Sequence, residues 1–290
     1  MTQPALALLL LLAGPAPLSI TGEGFAVAPV RVNGSGPYLL IVDTAAGASA
    51  MFPHLVEALD LDPESGRRVS VQGASGVKQV PLHRIGPIET AGVRSEGVSA
   101  VVLDTSHLFP DGRQESFGIL GADFLLDYDV ELDFVAGEMR LAGPAVNAPA
   151  DSLPFENLYG RFLVIPARVN GAEVTAVVDT GARRTLLNWH AAKAAGLEPG
   201  DERLVADDAV RGATPDETEA WSFHAKTLEA GGAKWKKARL GISDLPVFAA
   251  LGLADQPAMI LGVNLLTDRS LRIDYDEKRL LIGAPGARAR

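Results

Sequence analysis

The chain has 290 residues, enough for one large domain or two of ordinary size. It is 47% hydrophobic and 21% charged, a globular composition, and its net charge of −10 is the wrong sign for nucleic acid, whose phosphates need a basic surface. There is no cysteine, which excludes disulfides, thiol catalysis and Cys-ligated zinc; the five His show no HExxH-type spacing, so neither metal nor cofactor is expected.

Residues 1–22 begin with a short apolar core at positions 5–13, followed by small residues and prolines. This length suits a cleaved export signal rather than a membrane span, so an exported protein, periplasmic or secreted, with no stable membrane span after cleavage, is expected. Residues 25–32 then read as a strand. Asn33-Gly34 supplies the positive φ of a tight hairpin turn, and residues 38–42 return as an apolar strand that ends on Asp43. Asp is depleted in strands and costly to bury unpaired, so this position asks for a partner. A short helix is predicted at 53–59. Residues 70–80 read as strand, Gly-rich tip, strand, with Gly73, Ala74, Ser75 and Gly76 at the tip. Strands follow near 98–103 and 132–141.

The second half repeats the first. "PVRVNGSGPYLLIVDTAAGAS" (29–49) resembles "PARVNGAEVTAVVDTGARRT" (166–185), which places Asp43 and Asp179 136 residues apart. "FGILGADFLLDYDVELDF" (117–134) resembles "AMILGVNLLTDRSLRIDY" (258–275) at an offset of 141. Two blocks in the same order at nearly equal separation mark a duplicated unit. The lobes are expected at 23–143 and 155–290, joined by an Ala/Pro/Asn-rich linker at 144–154. The second copy carries strands at 162–169 and 174–178, a helix at 189–195 closed by Gly196, a projecting hairpin over 205–221 with Arg211 and Gly212 near its tip, and strands over 271–282. The basic run at 234–239 reads as the solvated face of a strand. Asp133 and Asp274 also recur, and turn or ladder-edge roles are expected for them.

Asp43-Thr44-Ala45 and Asp179-Thr180-Gly181 thus form a matched pair, each after an apolar strand and each followed by an Ile-Leu-Gly block. Two carboxyl groups in contact cannot both ionise easily, so they share one proton. The ionised member can take a proton from water while the protonated member polarises a peptide carbonyl. Thr44 and Thr180 can bond across the interface, and a small third residue lets backbone approach the carboxylates.

These motifs resemble the retropepsin-like (retroviral-type) aspartic proteases in a tandem-repeat, bilobal form. The resemblance implies a mainly β fold of two acid-protease lobes with a few short helices, and a peptide or protein substrate bound between them under glycine-tipped flaps. It implies an aspartic endopeptidase active as a monomer, a pseudo-dimer of lobes, with Asp43 and Asp179 as the catalytic pair. Ala45 departs from the usual Gly, and Ala122 and Val263 replace an Arg usual in viral members; the acid that such an Arg would pair with is also missing after both motifs. Arg183 and Arg184 follow Asp179 instead, as structurally bonded residues or as contacts to acidic substrate groups. Two other readings are carried: a peptide-binding protein impaired by Ala45, and an enzyme that pairs Asp179 between two chains.

Overall fold

The computed structural model describes residues 14–74, 76–105, 115–142, 151–212 and 216–286. The apolar stretch 5–13 and most of the linker lie outside them. Among the described residues the chain is mainly β, with four short helices, and no helix is long and apolar enough to cross a membrane.

Each lobe is built on the hairpin that delivers its aspartate. Ala26–Val32 pairs with Ser35–Val42, and Phe162–Val169 with Ala172–Asp179. Both Asn-Gly turns have positive φ at both residues, 53° and 75° in the first and 51° and 88° in the second. The Asn side chains do more than turn the chain. Asn33 Oδ1 accepts from Gly86 N at 2.9 Å and Asn170 Oδ1 from Lys226 N at 2.7 Å, so each turn also anchors a neighbouring segment.

The Ile-Leu-Gly blocks run parallel to the strands that carry the aspartates. Gly118–Leu120 pairs with Ser35–Val42, and Ala258–Gly262 with Ala172–Asp179, in which Asp179 stands opposite Gly262. These strands are therefore buried centre strands, which explains their continuous apolar sequence. An apolar cluster lies against each of these sheets. Phe25, Val27, Ile41 and Phe52 belong to the N-terminal cluster. Val177, Leu186, Phe248 and Ile260 belong to its C-terminal counterpart.

The lobes share a sheet. Its order is Ala16–Pro17, Glu138–Ala142, Asp129–Asp133, Ser270–Asp274, Arg279–Ile282, Leu153–Pro154. The central pairing is antiparallel across the two lobes, with Val130 opposite Ile273 and Leu132 opposite Leu271. The stretch predicted as one strand at 132–141 is two strands around a turn. Asp133 Oδ1 accepts from Val135 N and Ala136 N, and Asp274 Oδ1 from Glu277 N, so both acids close turns.

The outer strands of this sheet extend the repeat upstream. Ala16–Pro17 and Leu153–Pro154 are 137 residues apart and pair with equivalent strands. Ala16 and Leu18 are buried, and Ser19–Ile20 pairs with Ala26–Val32. Residues 16–20 were expected within the leader and 153–154 within the linker; the first segment pairs and partly packs against the N-terminal lobe, and the second pairs as an exposed edge of the shared sheet. Small apolar residues and Pro suit an edge strand as well as a leader tail, which is why composition did not separate them.

The basic run falls on Ala233–Ile242, with Lys234, Lys236, Lys237 and Arg239 exposed and Ala238 buried.

Candidate active site

Asp43 and Asp179 meet at the seam between the lobes, where their carboxyl groups are within hydrogen-bond contact of each other. Asp43 Oδ1 accepts from Ala45 N and Ala46 N, each at 2.8 Å, and Asp179 Oδ1 accepts from Ala182 N at 2.9 Å. Burial raises both carboxyl groups above the ordinary carboxylate range. The backbone N–H groups oppose that rise at Asp43. Asp179 is raised well above the usual value, by burial first and then by the neighbouring Asp43 charge. Such a pair titrates as a unit and holds one proton over an interval of pH.

The threonines lock the two loops together. Thr44 Oγ1 donates to Val178 O at 2.9 Å, and Thr180 Oγ1 donates to Val42 O at 2.6 Å. Each hydroxyl also accepts from the other threonine's backbone, Thr44 N to Thr180 Oγ1 at 3.1 Å and Thr180 N to Thr44 Oγ1 at 3.2 Å. Both residues are fully buried, so these four bonds are shielded from water.

The third motif position differs between lobes. A Cβ added to Gly181 would lie 2.1 Å from Asp43 Oδ2, closer than any real contact. Ala45 carries that methyl in the other lobe, packs it against the C-terminal apolar cluster, and has no left-handed φ. The carboxyl contact persists with the methyl in place.

Gly121 and Gly262 fit against the same loops. A Cβ on Gly121 would lie 2.8 Å from Ala46 O, and one on Gly262 2.6 Å from Arg184 O. Beneath the loops, Asp123 Oδ1 accepts from Ser49 N and Ser49 Oγ, and Asn264 Oδ1 accepts from Thr185 Oγ1. Ser49 and Thr185 are the closing hydroxyls of the repeated block. They in turn accept from Gly121 N and Gly262 N. Repetition marked these four side chains in the sequence, but their shared supporting role needed the parallel strand pairing to become visible.

The residues expected in flaps stand at the ends of two hairpins. Arg67–Gln72 and Val77–Ile85 form the first hairpin, closed by Gly73 N donating to Gly76 O at 2.7 Å; Ser75 is outside the described residues. Val205–Arg211 and Glu217–Ala230 form the second, to which Arg211 and Gly212 belong. The tips meet. A Cβ on Gly212 would lie 2.8 Å from Ala74 Cβ, and Val247 N donates to Ala74 O at 3.2 Å. Two hollows of about 570 Å³ lie elsewhere, one beside Pro53 and Val80 and one beside Leu153 and Gly231.

Arg184 is bonded within its lobe, to Asp207 Oδ1 at 3.3 Å and Asp208 O at 3.0 Å. Arg183 instead crosses the seam, its guanidinium carbon 5.1 Å from the Phe25 ring centroid. Among the described residues no cluster of His, Asp or Glu is arranged to hold a metal ion.

Two lobes, a shared sheet, and one half-buried acid from each lobe in mutual contact define a bilobal acid-dyad protein. A family model described as aspartyl protease matches residues 28–124 and 165–265, about two thirds of the chain. The chain belongs to the aspartyl protease family, in a retropepsin-like, tandem-repeat form. No curated protein matches it.

Proposed function

We propose that the protein is an aspartic endopeptidase in which one chain supplies the whole dyad, Asp43 from the N-terminal lobe and Asp179 from the C-terminal lobe. The observation that carries this reading is the contact of two half-buried carboxyl groups from opposite lobes, tied by the threonine bonds. Sharing of one proton between two such carboxyls is the established logic of aspartic proteases.

The two acids divide the work by their surroundings. Asp43 accepts two backbone N–H bonds, which favour its ionised form. Asp179, raised further, holds the proton. Asp43 takes a proton from a water whose oxygen attacks the peptide carbonyl carbon. The carbonyl oxygen takes the proton from Asp179 as its bond opens. The tetrahedral diol then collapses: the proton on Asp43 passes to the departing amide nitrogen, and a diol hydroxyl returns its proton to Asp179. A carboxylic acid and an amine leave, and the dyad again holds one proton. No covalent intermediate forms. The flaps would have to part to admit an extended peptide and close to exclude water.

The test is incubation of the purified protein with a mixed peptide library from pH 3 to 7, with products read by mass spectrometry. Cleavage at internal bonds that disappears in Asp179→Asn is expected. Peptide binding without cleavage by the wild-type protein would identify an impaired binding protein instead.

A further inference from the structure

The pseudo-symmetric seam has two ends, and they differ in charge chemistry. Arg183 stands four residues past Asp179, and Gly47 four past Asp43. Gly24 and Arg161 are equivalent before the first strand of each lobe. At one end Arg161 Nη1 donates to Gly47 O at 3.0 Å. At the other the stem of Arg183 lies 3.8 Å from where a Gly24 Cβ would be, and Nη1 reaches Glu23 O only at 3.4 Å. Arg161 is a lobe-to-lobe clasp. Arg183 rests on the Phe25 ring and is loosely bonded.

Charges of both signs surround Arg183, and the arginines near it are already paired. Its neighbours Arg184 and Arg211 are each neutralised, by Asp207 at 3.3 Å and Glu217 at 2.6 Å. Among the described residues no carboxylate lies within 4.0 Å of Arg183, and Arg183 is exposed. Partial burial of its guanidinium, then the charge of Arg184, hold Arg183 below its ordinary value; the Glu23 charge opposes this and Arg211 adds to it. Arg183 is thus a guanidinium with no carboxylate in ion-pair contact, on a chain of net charge −10.

The position is within reach of a substrate. Four residues of chain span at most about 14 Å, so Arg183 lies no farther than that from the Asp179 backbone. An extended peptide advances about 3.3 Å per residue. About four residues of an extended peptide cover the same distance from the scissile bond. Arg211 flanks it from the second hairpin, next to the Gly212 tip that meets Ala74.

We infer that Arg183, flanked by Arg211, forms a carboxylate-recognising subsite at this end of the cleft, so that the substrates are peptides with an acidic residue on one side of the scissile bond. This rests on the endopeptidase reading. A guanidinium on an aromatic ring keeps its edge N–H donors in plane for a carboxylate.

The experiment uses matched peptides that differ only by Glu, Gln or Lys at each of the four positions on either side of a cleaved bond. Two quantities are read: kcat/KM for the wild-type protein, and equilibrium binding of the labelled peptides to the Asp179→Asn protein. Glu should be favoured over Lys by about tenfold or more at one position, in both readouts, with the preference shrinking as salt rises. Arg183→Glu should reverse the preference. Arg211→Gln, which does not touch the seam, should weaken it with folding intact. Cleavage without an acidic preference at any position would overturn the subsite and leave the protease standing. Acidic-selective binding without cleavage by the wild-type protein would support the subsite and overturn the protease.

Discussion

Gly181 and Ala45 occupy equivalent places in the repeat but are not interchangeable. The Cα of Gly181 lies against Asp43, and a methyl there would overlap the carboxylate at 2.1 Å. Gly181→Ala should lower kcat/KM by at least ~10²-fold, because displacement of one dyad member removes acid–base catalysis worth that much. Ala45 already carries its methyl with the carboxyl groups in contact. Ala45→Gly should therefore leave kcat/KM within about threefold of wild type and cost roughly 0.4–1 kcal/mol in denaturant unfolding, from added freedom of the unfolded chain. A large gain in activity would mean that the methyl does obstruct the dyad. The sequence raised this question by aligning Ala45 with Gly181, but only coordinates could say which carboxylate each residue faces. The same holds for the arginines: position alone left both readings open for Arg183 and Arg184, and their partners separate them.

At the scale of elements, the threonine pair joins two loops that belong to different lobes. Thr44→Val keeps the volume but strips Val178 O and Thr180 N of their partners at a buried site. Each unsatisfied group costs about 1–3 kcal/mol, so a loss of about 2–4 kcal/mol by chemical denaturation is expected, with Thr44→Ser recovering most of it. A loss below ~0.5 kcal/mol would show that the loops are held by packing alone. The hairpins that carry the aspartates were legible because Asn-Gly turns and apolar runs are local signals. Helices were expected at 53–59 and 189–195 and stand at Pro53–Ala58 and Trp189–Ala194, the second closed by Gly196, which has φ +82°. The pairing of Gly118–Leu120 and Ala258–Gly262 beside the aspartate strands was not legible. Parallel partners are set by long-range topology, and no turn announces them.

The whole molecule is tied by the sheet to which both lobes contribute. Its central pairing crosses from Asp129–Asp133 to Ser270–Asp274, so neither lobe can unfold without exposing the other's edge. The leader and linker boundaries drawn from composition missed its outer strands, since two-residue strands carry no periodicity. The dyad also links stability to pH. Asp179 has a folded value well above its ordinary one, so the stability its protonated form confers is full below the ordinary carboxylate range. That contribution is lost as pH rises toward the raised value. Asp179→Asn removes this loss. Its thermal midpoint should exceed that of the wild-type protein at neutral pH, and the difference should close as pH falls below the ordinary value of 3.8. A difference independent of pH would deny that Asp179 is the raised member. In the proposed mechanism, loss of the last proton of the pair should end cleavage at high pH, and protonation of the base should end it at low pH.

The union of Asp43 and Asp179 in one site is tested most directly by kcat/KM of Asp43→Asn on a peptide that the wild-type protein cleaves. The introduced amide oxygen can still accept the Ala45 and Ala46 N–H bonds, so the fold is kept while the base is lost. A fall of about 10²–10⁴-fold, matched by Asp179→Asn, is expected for a dyad within one chain. Cleavage that survives in Asp43→Asn but not in Asp179→Asn would contradict it and place the active pair between two chains.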